Sequence, residues 1–326
     1  MFDIIAMGET LIDFTPAGCG SNGSPLFAQN PGGAPANVLA QAARLGGKTA
    51  FMGMVGRDGF GAFLRDVMER SGIDTADLKE TDEAHTTLAF VQLDAQGDRS
   101  FSFYRKPGAD ILLRPDDVNR ARIRSTRIFH FGSLSLTDEP VRSATHLAVQ
   151  TAREAGCIVS YDPNYRPPLW PSEAEAKAQM ASMIPYADVL KVSEEEMALL
   201  TGDNNPETAT KALAAQGVSL VLVSMGGEGA CYRCGQTFGH VPAFPVQPVD
   251  TNGAGDSFFG AILFQLRNKK REALRSMREP ELRELITYGN AAGALTTTAH
   301  GAIPAMPDGA QIAACLTDRI SPSKVK

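Results

Sequence analysis

The sequence predicts an α/β fold in three layers, α/β/α: a central, mostly parallel sheet covered by helices on both faces, with a small β-sheet lid. Two observations carry that expectation. Short apolar strand segments alternate with longer helical patterns through most of the 326 residues, which is the mark of successive βαβ units and a parallel sheet. One region breaks the alternation, because two strand-like runs there are joined by a polar, glycine-containing loop, the signal of an added antiparallel hairpin. No internal repeat or low-complexity segment divides the chain, so residues 1–316 read as one domain and 317–326 as a C-terminal tail.

The elements follow in order. Asp3–Met7 is an apolar strand and Leu11–Pro16 a candidate lid strand. Ala34–Leu45 has helical composition and spacing, then comes strand Thr49–Met54 and helix Gly59–Ser71. Thr87–Leu93 and Ser100–Arg105 form the hairpin around residues 94–99, and with 11–16 they make the lid. Period-two alternation puts Phe101, Phe103 and Arg105 on one face. An aromatic face ending in a cation suits closure on a polar ligand, or equally packing within a small sheet or a dimer contact. Arg127–Phe131, Pro140–Ala155, Cys157–Tyr161, Glu173–Ile184, Val189–Val192, Pro206–Gln216 and Leu220–Ser224 then continue strand, helix, strand. Ligands of such sheets gather beyond the carboxyl ends of the strands.

Composition excludes several classes. A net charge of −6 argues against nucleic acid as a partner, and the basic run from Arg267 to Arg278 reads as a solvated helix end and loop. No apolar run approaches the ~18 residues of a membrane span. The N-terminus shows no basic n-region and no cleavage site. Five scattered cysteines make a disulfide framework unlike this chain, so a reducing cytoplasm is expected. Cys231 and Cys234 spell CxxC without a second ligand pair, inside a strand-like stretch where positions three apart face opposite sides.

The chemistry sits in Asp250-Thr251-Asn252-Gly253-Ala254-Gly255-Asp256 and the apolar run after it. Small residues let the backbone turn with its N–H groups unobstructed. A buried helix starting here presents unpaired amides and the positive end of its dipole, a seat for an anion. A carboxylate beside that seat repels an anion, but it serves well as a general base for a nucleophile attacking the anion. Anion cradle plus base spells phosphoryl transfer to an alcohol. The alternative is a glycine-rich turn capped by a structural aspartate.

Other segments fit less specifically. Asn30-Pro31-Gly32-Gly33-Ala34-Pro35-Ala36-Asn37 opens the first long helix, and its glycines let a ligand approach the backbone. Asn37 can both donate and accept, as a sugar hydroxyl requires. Arg166, in Asp162-Pro163-Asn164-Tyr165-Arg166, follows a strand and can reach a substrate oxygen or form a surface ion pair. Ser193 and Glu196 form a capping box at a helix start. Ser224-Met225-Gly226-Gly227-Glu228-Gly229 fails the dinucleotide fingerprint, whose third glycine would be Tyr232. Gly47-Lys48-Thr49 fails as a P-loop end, because Ala42 stands where its first glycine is required.

The string Asp-Thr-x-Gly-Ala-Gly-Asp resembles the C-terminal motif of the ribokinase-like (PfkB-type) carbohydrate kinases. Gly32-Gly33 through Asn37, with Ala43-Arg44-Leu45-Gly46 and Val55-Gly56-Arg57-Asp58-Gly59, resembles their N-terminal motif. Phe103-Tyr104-Arg105-Lys106-Pro107-Gly108-Ala109-Asp110 and Tyr161-Asp162-Pro163-Asn164 read most like fructokinases. The resemblance runs from Ile4 to about Pro307. It implies a ribokinase-like fold and an ATP-dependent kinase for a sugar's primary hydroxyl, most simply the 6-hydroxyl of fructose. Asp256 is then the base and Gly253, Ala254 and Gly255 the anion hole. Asp13, Gly33, Asn37, Phe103, Arg105 and Arg166 fall at the sugar, and Ser193, Ser224, Gly226 and Asn290 at the nucleotide. Glu196 acts through water on Mg²⁺. Asp250, Asn252, Thr296, Ala299, Gly301 and Ala305 hold a monovalent cation, with K⁺ activation expected, although Ala305 lacks the hydroxyl that ribokinases carry there.

The resemblance leaves 2-keto-3-deoxygluconate, tagatose and ribosides as rival substrates. Phe90 and Phe103, where acid-sugar kinases tend to carry tyrosines, lean toward a neutral sugar. A catalytically silent sugar sensor has no use for Asp256. The expected partner is a small sugar, with a homodimer through the lid sheet as a further possibility.

Overall fold

A computed structural model describes residues 1–93 and 99–320. The hairpin loop over 94–98, the side chain of Phe101 and the end of the tail lie outside the described residues. The chain begins with β1 (Phe2–Met7), β2 (Leu11–Cys19), β3 (Pro25–Gly32), α1 (Ala34–Arg44), β4 (Thr49–Gly56), α2 (Gly59–Arg70) and β5 (Ile73–Thr81). It continues through β6 (Leu88–Leu93), β7 (Arg99–Tyr104), α3 (Arg120–Arg124), β8 (Thr126–Gly132), α4 (Val141–Glu154) and β9 (Ile158–Asp162). Next come α5 (Glu173–Met183), β10 (Val189–Ser193), α6 (Glu194–Thr201), α7 (Pro206–Ala215), β11 (Leu220–Ser224), β12 (Ala230–Cys234) and β13 (Thr237–Val241). Three helices finish it: α8 (Ala254–Leu266), α9 (Glu279–Thr296) and α10 (Gly309–Ile320). The last helix runs past residue 316, so the tail boundary read at 316/317 falls inside it.

Among the described residues a nine-stranded sheet has the order β13-β12-β11-β10-β9-β8-β1-β4-β5. Its strands are parallel except β12 and β13, which form an antiparallel edge. Burial on both faces explains the near-continuous apolar strands. Along β1, Ile4 and Ala6 enter one core while Ile5 and Met7 enter the other. The first core includes Leu64, Phe259 and Ile286 from α2, α8 and α9; the second includes Val141, Met180 and Leu213 from α4, α5 and α7. Cys231 and Cys234 likewise enter opposite cores and are free thiols. No described helix is long and apolar enough to cross a membrane.

The lid is a second sheet of order β3-β2-β6-β7. The reading of a lid strand at 11–16 omitted its partner β3, whose two prolines argue against a strand. Proline is tolerated there because β3 is an edge. Strands β5 and β13 were also not among the expected elements, whereas β12 fills the strand-like stretch of Cys231 and Cys234. β5 alternates polar and apolar residues at the sheet edge.

Candidate active site

Strand β1 lies inside the sheet; the chain leaves it toward β4 on one side and returns through β8 on the other. That is a topological switch point, where a crevice opens beyond the strands' carboxyl ends. α1 starts over this crevice. Gly33 adopts φ 107°, and a Cβ there would lie 2.4 Å from the Glu9 carbonyl oxygen, so only glycine fits this entry. The Glu9 carboxylate caps the helix, accepting the Ala34 N–H at 3.0 Å.

α8 packs closely beside α1, because Gly260 leaves room for the Val38 carbonyl where its own Cβ would stand. The two helix starts therefore meet. Asn37 Nδ2 donates to Asp256 Oδ2 at 2.8 Å, across 219 residues of sequence. Next to it, Ser257 Oγ donates to Gln41 Oε1 at 2.7 Å and lies 2.7 Å from the Thr296 hydroxyl, tying α1, α8 and α9 together in the interior.

The loop before α8 is built by Asp250. Its Oδ1 accepts the Asn252 N–H at 2.9 Å and its Oδ2 the Gly301 N–H at 3.0 Å. Gly253 turns the chain into the helix with φ 72°. Ala254 and Gly255 in the first turn line a cavity of about 450 Å³ with Ser224, Gly226, Thr251 and Asn290. Asn290 Nδ2 donates to the Val241 carbonyl at 2.9 Å, which fixes the amide at the cavity wall.

Charge concentrates where α1, α8 and the ends of β9 and β10 converge. Burial pushes the Asp256 carboxyl up, while the Lys191 ammonium, the Asn37 hydrogen bond and Arg166 oppose that rise. Asp13 is pushed up to about 6 by burial, against Arg166 and with the help of Asp256 and Asp250. Lys191 Nζ lies 2.9 Å from Asp162 Oδ2. Burial works against its charge, but Asp162, Glu196 and Asp256 outweigh that and hold it protonated. Glu196 accepts the Tyr165 N–H at 2.6 Å and the Ser193 N–H at 2.8 Å, and Ser193 Oγ accepts the Glu196 N–H at 3.1 Å. Asn164, at φ 47°, makes the turn that aims Tyr165 N–H at Glu196; asparagine tolerates this left-handed backbone.

The profile of the pfkB family carbohydrate kinases matches residues 1–309. The chain belongs to that family. It is 44% identical over 321 residues to "Probable fructokinase-3" of Arabidopsis thaliana, covering 97% of this chain and 92% of that one. A crystal structure of fructokinase with bound ATP from Xylella fastidiosa is 35% identical, with a TM-score of 0.91, over 98% of this chain and 100% of that one. A fructokinase double mutant from Vibrio cholerae O395, in fructose, ADP and potassium ion bound form, is 34% identical with a TM-score of 0.86, over 96% and 98%.

In this kinase most residues expected at the site do converge, and some do not. Asp13, Gly33, Asn37, Arg166 and Asp256 gather at the crevice. Asp13 fills the space where a Gly32 side chain would go, at 2.2 Å from a Cβ built there. Arg105 departs from the expectation. β7 ends at Tyr104, so the alternation stops before it. Its guanidinium turns inward, 6% exposed, to Asp110 Oδ2, the Thr137 hydroxyl and the Leu134 carbonyl, each at 2.8 Å. Phe103 is half-buried and pairs with Ala89, on Asp13's face of the lid. Phe90 points the other way. It stacks on Phe14 with ring centroids 4.9 Å apart and meets Phe27 and Tyr104 edge-on, so it does not share the face of Asp13.

Of the expected cation ligands, Asp250, Asn252 and Gly301 come together. The Thr296 hydroxyl is committed to Ser257 and the Ala292 carbonyl, Ala299 is exposed, and Ala305 is half-buried in a short turn after Gly301. Lys191 and Glu9 escaped sequence reading. The signal for Lys191 was a lone charge inside the apolar strand Val189–Val192, because a lysine is hardly ever buried unpaired.

Proposed function

We propose that this carbohydrate kinase transfers the terminal phosphoryl group of ATP to the 6-hydroxyl of fructose, with Asp256 as general base. The observation carrying this reading is the meeting of Asn37 and Asp256 beside the first-turn amides of α8. The pair puts a proton acceptor, a bifunctional amide and an anion seat around one point. Buried Asn37 Oδ1 has no hydrogen-bond partner among the described residues, so it is available to a substrate hydroxyl. Asp13 and Gly33 flank it, and Arg166 balances the two carboxylates. Asp256 takes the O6 proton, O6 bonds to the terminal phosphorus as the bond to the bridging oxygen breaks and ADP leaves, and the amides of Gly253, Ala254 and Gly255 stabilise the developing charge. Ser193, Ser224, Gly226 and Asn290 border the nucleotide.

Mg²⁺ fits as the counter-ion of the nucleotide. Among the described residues no cluster of three His, Cys, Asp or Glu side chains forms a dedicated metal cage. Mg²⁺ would be held mainly by the nucleotide phosphates and water, with Glu196 as the carboxylate that would reach it through a water molecule. Mg²⁺ supplies charge neutralisation of the phosphates. K⁺ fits the oxygen-rich loop of Asp250, Asn252 and the backbone near Gly301, with the carbonyls of Thr296, Ala299 and Ala305 as further donors.

Capture of Arg105 by Asp110 removes one of two cations that an acidic sugar would use, which favours a neutral one. A second copy of the chain would dock on the outer face of the lid, where Phe27 and Tyr104 are exposed; Phe27→Ser with Tyr104→Ser should then sediment as a monomer where the parent is a dimer. The free thiols of Cys19, Cys157, Cys231 and Cys234 suit a reducing cytoplasm. A coupled assay of ADP release across fructose, ketodeoxygluconate, tagatose and ribose, with and without K⁺, tests the substrate. Fructose should give the highest kcat/KM, and a preference for ketodeoxygluconate would overturn the assignment.

A further inference from the structure

Lys191 is a buried cation that the proposed mechanism leaves unused. It projects from β10 and is 7% exposed. One of its three N–H donors meets Asp162 Oδ2 at 2.9 Å, and among the described residues the ammonium has no other hydrogen-bond partner. Its position is specific. A Cβ built on Gly255 would lie 3.3 Å from Lys191 Nζ, so the ammonium packs directly against the cradle at that residue. Side chains on a helix tilt toward its N-terminus, which directs this contact toward the anion seat at the start of α8. A balancing ion for Asp162 alone has no reason to touch the cradle.

We propose that Lys191 is a catalytic residue of phosphoryl transfer: its ammonium backs the amide cradle at Gly255 and donates to an oxygen of the transferring phosphoryl group. It fills the role of a fixed cation in a chain that lacks a P-loop lysine. The step balances without a change in Lys191. Asp256 receives the hydroxyl proton, the sugar oxygen bonds to the terminal phosphorus, and the bond to the bridging oxygen breaks with its electron pair leaving on ADP. Lys191 keeps its proton throughout and offsets charge that shifts among the phosphoryl oxygens. The proposal also gives glycine at residue 255 a role, since a Cβ there would crowd the ammonium at 3.3 Å.

The inference rests on the kinase reading above, so the parent enzyme must first show sugar-dependent ADP release; its absence would refute that reading rather than this one. The test compares Lys191→Met, Lys191→Arg and the double variant Lys191→Met with Asp162→Asn, which leaves no unpaired carboxylate. Loss of a donor to the transferring group should lower kcat by about 10²–10³-fold with both KM values little changed. Lys191→Arg should recover part of that loss. Calorimetry should show ADP binding retained, and binding of ADP with aluminium fluoride and sugar, which mimics the transferring group, reduced by a similar factor. The double variant should regain thermal stability but not kcat. Recovery of kcat in the double variant, or equal weakening of ADP with and without aluminium fluoride, would show that Lys191 only balances Asp162.

Discussion

Two buried clusters of charge, one at the hinge of the lid and one at the crevice, contain the same kinds of group and differ in how completely those groups are paired. At the hinge, Arg105 follows β7 and Thr87 precedes β6, and both bind Asp110, at 2.8 Å and 2.5 Å. Arg105 also reaches Thr137 and Leu134 on the body. At the crevice, among the described residues, carboxylates outnumber the nearby cations, Asn37 Oδ1 lacks a partner and Lys191 uses one donor. A saturated cluster has its geometry settled by the protein. An unsaturated one keeps capacity for something that arrives, and there burial pushes the carboxyls of Asp13 and Asp256 up.

The sharpest way to break this contrast is Asp256→Asn. The amide occupies nearly the same volume but cannot accept the O6 proton. Turnover should fall about 10³-fold or more, while sugar binding measured by calorimetry survives. The variant should be at least as heat-stable as the parent at pH 7.5, because burial disfavours the ionised carboxylate that it replaces. Retained turnover would remove Asp256 from the mechanism.

Arg105→Leu asks the opposite question at the hinge. Removing one partner of a buried pair strands the other, and the cost is about 3–5 kcal/mol. Denaturant unfolding should show that loss, and Arg105→Leu with Asp110→Leu should recover much of it. An unchanged stability with a raised KM for the sugar would return Arg105 to the substrate site.

Backbone geometry separates two neighbouring glycines in the same way. Gly253 has φ 72°, and a Cβ there would lie 2.6 Å from that of Ala302. Gly253→Ala should therefore lose about 1–3 kcal/mol of stability. Gly255 has an ordinary backbone, and its nearest obstacle is the flexible tip of Lys191. Gly255→Ala should fold almost normally and lose turnover instead, visible as a lowered kcat at an unchanged melting temperature.

Much of this was legible in the sequence because it is local. Apolar strand runs alternating with helical spacing placed six strands of the large sheet, and the glycines before Asp256 marked the cradle. What escaped depended on neighbours far along the chain. β3 carries prolines that only an edge position excuses. Arg105 obeyed strand alternation on paper, but β7 stops one residue earlier and Asp110, five residues on, captures the side chain. Phe90 reads with Phe103 as leaning toward a neutral sugar, but the register pairs it with Ser102 and turns it to the face opposite Asp13. Lys191 was visible as an anomaly in a buried strand, but its meaning needed Gly255, which lies 64 positions away by residue number.

Asp13 gives the smallest and most diagnostic effect, since its carboxyl is pushed up to about 6 from an ordinary value of 3.8. Between those values the folded protein binds more protons than the unfolded chain, so stability falls as pH rises through that window. Above about 6 the penalty is fully present, and Asp13→Asn should melt a few degrees higher than the parent at pH 7.5. Near pH 4 both carry a neutral side chain and the gain should vanish. For the sugar the sign is reversed, because only the ionised carboxylate accepts from two hydroxyls. The KM of the parent should therefore rise as pH drops through about 6, and Asp13→Asn should show a higher KM without that dependence. A parent KM that stays flat from pH 7.5 to 5 would place Asp13 with the hinge, as a group whose role ends in the fold.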